Sequence, residues 1–259
     1  MSEIALVTGA SGGIGEDLAR LIAAGGRDLV LLARSAAKLQ TLADELSRAH
    51  KITATVLAMD LSEPGAADEV ARTLAERRIN IDMLVNNAGF GTFGEFAREN
   101  PQEQLRMLQL NIVALTMLTR FLLPGMIERR RGRILNVAST AAFQPGPRMA
   151  VYYASKAYVV SLSLALTEET ADTGVTVTCL CPGPTRTGFQ ERAQMDKSRL
   201  FRVTSVMRSA DVARAGYDAM MAGRALAIPG VANKIGAQSV RFVPRRVAAK
   251  IAGALNAEH

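Results

Sequence analysis

The sequence has little cysteine. Only Cys179 and Cys181 occur among its 259 residues, and both lie in the apolar run VTVTCLC. Side chains two positions apart on a strand point to the same face, which is a poor geometry for a mutual disulfide. We therefore predict two buried free thiols, which favour a reducing compartment and a cytoplasmic location.

The sequence also lacks an uninterrupted apolar run of the roughly 18 residues that a membrane-spanning helix needs. A strand-like segment, IALVT, directly follows Met-Ser-Glu, which leaves no room for the charged and apolar regions of a signal peptide. No internal repeat, low-complexity tract or Pro/Ser linker divides the chain. We expect no integral membrane segment and one domain over residues 1–259.

Acidic residues are in the minority, because 31 Lys and Arg against 24 Asp and Glu give a net charge of +7. No basic stripe interleaved with aromatic residues occurs, so no nucleic-acid partner is predicted. The segment 234–246, KIGAQSVRFVPRR, mixes apolar and basic residues and could contact a membrane or a partner. Pro244 argues against one long helix, and we interpret the segment as a core-packed tail with solvated cations.

Short apolar runs recur and alternate with longer stretches of helical periodicity. The runs show little polar alternation, which is typical of strands covered on both faces of a parallel sheet. This order predicts the α/β class, with a doubly wound, seven-stranded, mostly parallel sheet whose ligands bind beyond the carboxyl ends of the strands. The runs lie at 4–8, 28–33, 52–58, 82–88, 133–139, 175–181 and 225–229, and helical patterns lie at 14–22, 62–77, 102–129 and 151–170.

A glycine-rich turn, TGASGGIG at 8–15, joins the first strand to the first helix. Glycine permits positive φ and a close backbone approach, and a helix N-terminus presents N–H groups to a pyrophosphate. The spacing differs from the familiar GxGxxG. The strand-to-helix context nevertheless favours a dinucleotide-binding loop.

The second strand ends at Ala33-Arg34-Ser35, with Lys38 one turn later. In dinucleotide-binding sheets an acidic residue here binds both ribose hydroxyls, whereas an arginine accommodates a 2′-phosphate. We therefore predict NADP(H) in preference to NAD(H), with Arg34 and Ser35 as contacts. Asp60, after the third strand, could accept a hydrogen bond from the adenine amino group or cap the next helix.

Tyr152 and Lys156 lie four positions apart in VYYASKAY, on one face of a predicted helix. A nearby ammonium favours a phenolate and lowers a tyrosine pKa from about 10 toward a range useful for proton exchange. The neighbouring Tyr153 and Tyr158 could be plain packing residues. The Tyr152 and Lys156 pair predicts a reactive tyrosine only if other polar side chains lie nearby.

Two such groups occur: Ser139 ends the fifth strand, and Asn111 lies in LQLNIVAL, where a buried amide needs hydrogen-bond partners. With them, the sequence resembles the short-chain dehydrogenase/reductase superfamily over nearly its whole length. The motifs that carry the resemblance are TGASGGIG (8–15), NNAG (86–89), Asn111, Ser139, YYASK (152–156) and PGPTRT (182–187). The resemblance implies a Rossmann-type domain.

The resemblance further implies that Tyr152 is the general acid/base and that Lys156 lowers its pKa and binds the nicotinamide ribose. Ser139 would orient the substrate carbonyl, and Asn111 would hold a water in a proton relay. Many NADPH-using relatives carry a basic residue where this chain has Gly12, so the predicted preference depends on Arg34. The implied cofactor contacts also include Gly9, Ser11, Gly13, Ile14, Gly15, Asp60, Leu61, Asn87, Ala88, Gly89, Pro182, Gly183, Thr185 and Thr187.

These features predict an NADP(H)-dependent oxidoreductase that reduces an apolar ketone or aldehyde by hydride transfer. The alternatives are alcohol oxidation and an NADP(H)-sensing protein without turnover. No metal is predicted, relatives imply a homodimer or homotetramer, and segment 186–208 is predicted to be a mobile lid. The candidate residues of an apolar substrate pocket are Phe90, Phe93, Phe143, Met149 and Phe189.

Overall fold

Seven parallel strands form the central sheet of the protein, in a computed structural model that describes residues 2–188 and 206–256. Its strands are β1 (Ile4–Thr8), β2 (Asp28–Ala33), β3 (Ala54–Ala58), β4 (Met83–Asn86), β5 (Gly132–Val137), β6 (Val175–Leu180) and β9 (Leu226–Ala227). Their spatial order is β3-β2-β1-β4-β5-β6-β9. A separate parallel pair is formed by β7 (Thr185–Arg186) and β8 (Met207–Arg208).

Helices surround this sheet, and the alternation of strand and helix confirms the predicted α/β architecture. The central strands are buried on both faces: Leu6 packs with one core cluster, while Ala5 and Val7 pack with another. The helices are α1 (Gly13–Ala24), α2 (Ala36–His50), α3 (Ala66–Glu76), α4 (Pro101–Leu108), α5 (Leu115–Glu128), α6 (Ala150–Glu169), α7 (Ser209–Met221), α8 (Val231–Ser239) and α9 (Arg245–Leu255).

The strand order reverses between β1 and β4. The chain builds outward from β1 through β2 to β3, then crosses back to place β4 on the other side of β1. After the carboxyl ends of β1 and β4, the chain therefore turns toward opposite edges of the sheet. This divergence opens a crevice for a ligand. This crevice determines where the functional residues converge.

Two predicted helices have different boundaries in the structure. The helix predicted from residue 62 begins at Ala66, because Gly65 adopts a left-handed conformation (φ +79°) at its N-cap. The helix predicted over 102–129 is interrupted by a π-helical segment, Gln109–Ala114. Such segments often occur at functional sites, and this one contains Asn111.

Within the part of the chain that the structure describes, one helical stretch, Pro101–Glu128, is long and apolar enough to cross a membrane. Its mean hydropathy reaches 1.6. Met107, Leu110 and Leu118 from this stretch pack in the core of the protein. A helix that packs against a sheet passes the same test, so the stretch is weak support for a membrane span.

The tail differs from its sequence interpretation. Ile235 is 63% exposed and Phe242 is 88% exposed, so the description of segment 234–246 as core-packed is wrong. Burial resumes later, at Ala248 and Ala252 on α9 and at Asn256 just after it. The tail is therefore anchored by its last helix and not by its apolar side chains at 235 and 242.

Candidate active site

The glycine turn after β1 is tied to the end of β4 by Thr8. The Thr8 hydroxyl accepts hydrogen bonds from the backbone N–H groups of Asn87 and Ala88, both at 3.0 Å, and donates one to the carbonyl oxygen of Val85 at 3.2 Å. The Asn87 side chain donates back to the Thr8 carbonyl oxygen at 2.9 Å. These bonds hold the two sides of the crevice in register.

Close packing explains two of the glycines in the turn. Gly9 has φ +67°, and a Cβ there would lie 2.7 Å from Asn87 Nδ2. A Cβ on Gly15 would lie 2.4 Å from the carbonyl oxygen of Gly9. Gly15 therefore lets α1 approach the turn, and it does not line the crevice as the sequence predicted.

Replacing Gly9 with alanine is expected to lower the free energy of unfolding by about 2 kcal/mol or more, because the substitution combines an unfavourable left-handed backbone with a steric clash. Gly12→Ala is the matched control: Gly12 has an extended φ of 169°, and a Cβ there meets no atom within 4 Å. Urea denaturation of the two variants measures the difference. Equal stabilities would contradict the role given to Gly9.

Ser139, Tyr152 and Lys156 converge beyond the carboxyl end of β5. Ser139 and Tyr152 share a hydrogen bond between their side chains. The Ser139 oxygen also accepts from the Ala141 N–H at 3.1 Å, which fixes it at the start of a short 3-10 helix, Thr140–Phe143. The Lys156 ammonium lies 5.8 Å from the centre of the Tyr152 ring and donates to the Val137 carbonyl oxygen at 2.9 Å.

Burial is the largest influence on the pKa values of Tyr152 and Lys156. Burial raises the pKa of Tyr152 above its ordinary value of 10, and the hydrogen bond with Ser139 only partly opposes this effect. Burial also lowers the pKa of Lys156 to about 8. Burial sets the net direction of the Tyr152 shift, and the role of Lys156 in lowering this pKa stays a prediction.

Asn111 is hydrogen-bonded to residues that flank the site, Phe90 and Ser155. Its amide donates to the Phe90 carbonyl oxygen at 2.9 Å and to Ser155 Oγ at 3.1 Å, and it accepts from the Phe90 N–H at 3.1 Å. A Cβ on Gly89 would lie 3.0 Å from Asn111 Oδ1 and 3.4 Å from Lys156 Nζ. Asn111 thus fixes the chain at 89–90 beside the lysine, and its relay role stays a prediction.

The end of β2 brings two cations to the crevice. Arg34 and Lys38 line it, and the Arg34 side chain is 55% exposed. Ser35 does not line the crevice; it caps α2 by accepting from the Lys38 N–H at 3.5 Å. Lys38 is not among the cofactor contacts predicted from the sequence. It lines the crevice beside Arg34 because it lies in the first turn of α2.

Asp60 and Leu61 are not part of the crevice wall. Asp60 accepts from the N–H and hydroxyl of Ser62, and its other oxygen lies 3.0 Å from Arg106 and 3.9 Å from Arg34. Burial opposes its ionisation, but these bonds and cations outweigh burial and lower the Asp60 pKa. Leu61 packs in the core, so the prediction that both approach the adenine has no support in their contacts.

A cavity of about 590 Å³ runs along the crevice. Most of the cofactor contacts named from the sequence line it: Gly9, Ser11, Gly13, Ile14, Arg34, Asn87, Ala88, Gly89, Tyr152, Lys156, Pro182, Gly183, Thr185 and Thr187. Ser139 lies on the same wall, together with Gln144 and Tyr153, which the sequence did not single out. A separate cavity of about 200 Å³ beside β9 contains none of these residues.

The predicted aromatic pocket is largely absent from this wall. Met149 lines the cavity, but Phe90 is 2% exposed in the core, and Phe93 and Phe143 pack against core clusters. The sequence could not separate these alternatives, because an apolar residue after a strand suits a core as well as a binding pocket. Phe189 and residues 189–205 of the predicted lid lie outside the described residues.

Comparison with known proteins identifies the family of this site. Residues 3–198 match the family model described as short chain dehydrogenase. The chain belongs to the short-chain dehydrogenase/reductase superfamily. This confirms the resemblance drawn from its motifs, and its relatives are named as dehydrogenases or reductases.

Individual relatives extend over most of the chain. Nodulation protein G of Rhizobium sp. (strain N33) is 37% identical over 212 residues, which are 82% of this chain and 83% of that protein. A short-chain dehydrogenase from Sphingobium yanoikuyae in complex with NADPH has a TM-score of 0.84 and 31% identity, covering 93% of this chain and 92% of that one. The bulky-bulky ketone specific alcohol dehydrogenase from Comamonas testosteroni has a TM-score of 0.78 and 30% identity, with the same coverage.

Proposed function

We propose that this short-chain dehydrogenase is an NADPH-dependent carbonyl reductase that converts an apolar ketone or aldehyde to an alcohol. The observation that carries the proposal is the convergence of Ser139, Tyr152 and Lys156 in one cavity with the glycine turn and with Arg34. The NADPH complex of the Sphingobium yanoikuyae relative and the ketone specificity of the Comamonas testosteroni relative support it.

The cavity suits a dinucleotide. Two cations that follow β2, Arg34 and Lys38, line it, and so do residues of the glycine turn. The N-terminus of α1 has no side-chain cap, so its N–H groups are available to phosphate oxygens. Tyr152 and Ser139 lie on the wall formed after β5, where the reactive end of the cofactor would bind.

A nicotinamide cofactor bound in this cavity would supply a hydride to the carbonyl carbon. Negative charge then grows on the carbonyl oxygen, and hydrogen bonds from Ser139 and Tyr152 stabilise it. Tyr152 transfers its phenolic proton to that oxygen, which completes the alcohol, and the proton is replaced through Lys156. A phenol with the ordinary tyrosine pKa of about 10 is protonated at neutral pH, which is the form that reduction requires.

The proposed preference for NADPH depends on Arg34. Its guanidinium already faces Asp60 at 3.9 Å and is more than half exposed, so it can turn toward a 2′-phosphate. Arg34→Asp is expected to shift the ratio of kcat/KM for NADPH over NADH toward NADH by about 10²-fold, because a carboxylate repels the phosphate and accepts from the ribose hydroxyls.

A panel of ketones and aldehydes assayed with each cofactor tests both parts of the proposal. Arg72→Asp is the matched control, since Arg72 is an exposed arginine on α3 that is not in the cavity. An unchanged cofactor ratio in Arg34→Asp would contradict the ribose-site role. A wild type that oxidises neither cofactor with any carbonyl compound would contradict the reductase.

The proposal includes a single domain in the cytoplasm, with segment 186–208 as a lid. The support for the lid is the pairing of β7 with β8, which brings the two ends of the segment together at the cavity. Exposed apolar side chains on α4 and α5, Leu105 and Phe121, support a homodimer or homotetramer. Analytical ultracentrifugation measures that assembly directly.

A further inference from the structure

Asn256 is a fully buried amide that immediately follows α9. Its Nδ2 donates to the carbonyl oxygen of Pro147 at 3.0 Å. The same amide faces the hydroxyl of Tyr153, with Nδ2 at 3.3 Å and Oδ1 at 3.4 Å. A residue near the end of the described chain is therefore bonded to two residues that precede and follow the start of α6.

The loop 144–149 is held on both sides of this contact. The Tyr153 ring lies flat against Gly146, where a Cβ would come within 2.3 Å of the ring. Gly253 of α9 packs on Pro147, with only 3.2 Å from a Cβ to the proline ring. The next residue, Arg148, accepts a hydrogen bond on its carbonyl oxygen from the Gly94 N–H at 2.9 Å.

This loop forms part of the cavity wall beside the reacting groups. Gln144 and Met149, at its two ends, line the cavity, and so does Tyr153. Tyr152 and Ser139 line the same cavity. The position of the loop therefore determines how much space a substrate substituent has next to the phenol that would protonate its oxygen.

We infer that Asn256 and Tyr153 form a clasp that sets the shape of the substrate side of the cavity and so selects among carbonyl compounds by size. The inference rests on the proposed reductase function. Asn256 is a positioning residue: it does not line the cavity, and it acts by fixing Pro147 and the Tyr153 ring, which does line the cavity. The last helix of the chain thereby contributes to specificity without contacting the substrate.

The two residues of the clasp can be tested separately. Tyr153→Phe removes one hydroxyl and leaves the Asn256 bond to Pro147 in place, so it frees the ring but not the loop. Asn256→Ala releases both and leaves the Pro147 carbonyl oxygen without its amide partner. The effects of the two substitutions should be non-additive in the double variant, because both act on the same contact.

The test uses two aryl ketones that differ only in the size of one alkyl substituent, with NADPH in excess. We expect Asn256→Ala to raise KM for the smaller ketone by about fivefold while kcat changes less than about twofold, and to raise the bulky-to-small ratio of kcat/KM by a similar factor. Tyr153→Phe should show the same shifts at about half the size on a logarithmic scale. Tyr217→Phe is the matched control: its hydroxyl bonds Arg27 at 3.1 Å, and it does not line the cavity.

Two further measurements separate the possible failures. NADPH binding, followed by calorimetry, should be the same in all variants, and amide hydrogen exchange should speed up within 144–149 in Asn256→Ala but not in Tyr217→Phe. Unchanged exchange in this loop together with an unchanged ketone ratio overturns the clasp. If the wild type reduces no ketone, the proposed function fails, and hydrogen exchange alone decides whether the clasp holds the loop. If Asn256→Ala does not fold, the ketone ratio of Tyr153→Phe alone tests the clasp, because that variant frees the ring while the Asn256 bond to Pro147 stays in place.

Discussion

Tyr152→Phe is expected to lower kcat for carbonyl reduction by about 10²- to 10⁴-fold, the contribution typical of a positioned general acid. The substitution keeps the buried ring and removes only the hydroxyl that shares a hydrogen bond with Ser139. Affinity for NADPH should change little, because the glycine turn and the end of β2 lie elsewhere along the cavity. Stopped-flow single turnover and NADPH titration measure the two quantities separately.

Tyr158→Phe is the control for this variant. Tyr158 lies in the same helix, its hydroxyl is 3.0 Å from Thr116 Oγ1, and it is not in the cavity. Its loss should leave kcat within about twofold of the wild type. If Tyr152→Phe kept most of its turnover while binding NADPH normally, Tyr152 would not be the proton donor, and the proposed mechanism would fail.

The sheet could be predicted from the sequence because its strands are short and buried on both faces. The runs at 4–8 and 28–33 coincide with β1 and β2. The run at 225–229 yields only Leu226–Ala227 as a strand. This strand has a single partner, β6, so little of the run is fixed by pairing.

The meeting of Ser139 with Tyr152 could also be predicted, because both follow β5 closely in sequence. Asp60 could not be predicted in the same way. Its ion pair with Arg106 joins residues 46 positions apart, and nothing in the local sequence marks Arg106 as its partner. The local sequence places Asp60 after β3, but its ion pair depends on Arg106, which only the fold brings close to it.

The Tyr153 and Asn256 contact lies beyond sequence reasoning for a related reason. The two residues are 103 positions apart, and a tyrosine beside the predicted reactive one looks like ordinary helix packing. Only the folded chain shows that the tail after α8 returns to the cavity. Ile235 and Phe242 are exposed, and the tail is anchored only after them, at the buried Asn256.

Lys156 places a charge in the interior at a cost in stability. It is 5% exposed, and burial lowers its pKa from 10.5 to about 8. Between these two values the unfolded chain binds more protons than the folded protein, so the free energy of unfolding rises with pH across that window. The penalty of the buried ammonium is fully present below pH 8 and is relieved as the pH approaches 10.5.

Lys156→Met should abolish turnover and remove this pH dependence. From pH 8 to 10.5 we expect the wild type to gain about 3 kcal/mol of stability relative to the variant, since each unit of pKa shift corresponds to about 1.4 kcal/mol. Urea denaturation at several pH values measures the difference, and Lys250→Met, which removes an exposed ammonium, should parallel the wild type. Parallel curves for Lys156→Met as well would mean that the buried ammonium carries no such penalty. The pKa of Lys156 would then be the same in the folded and unfolded states, and its removal would affect turnover alone.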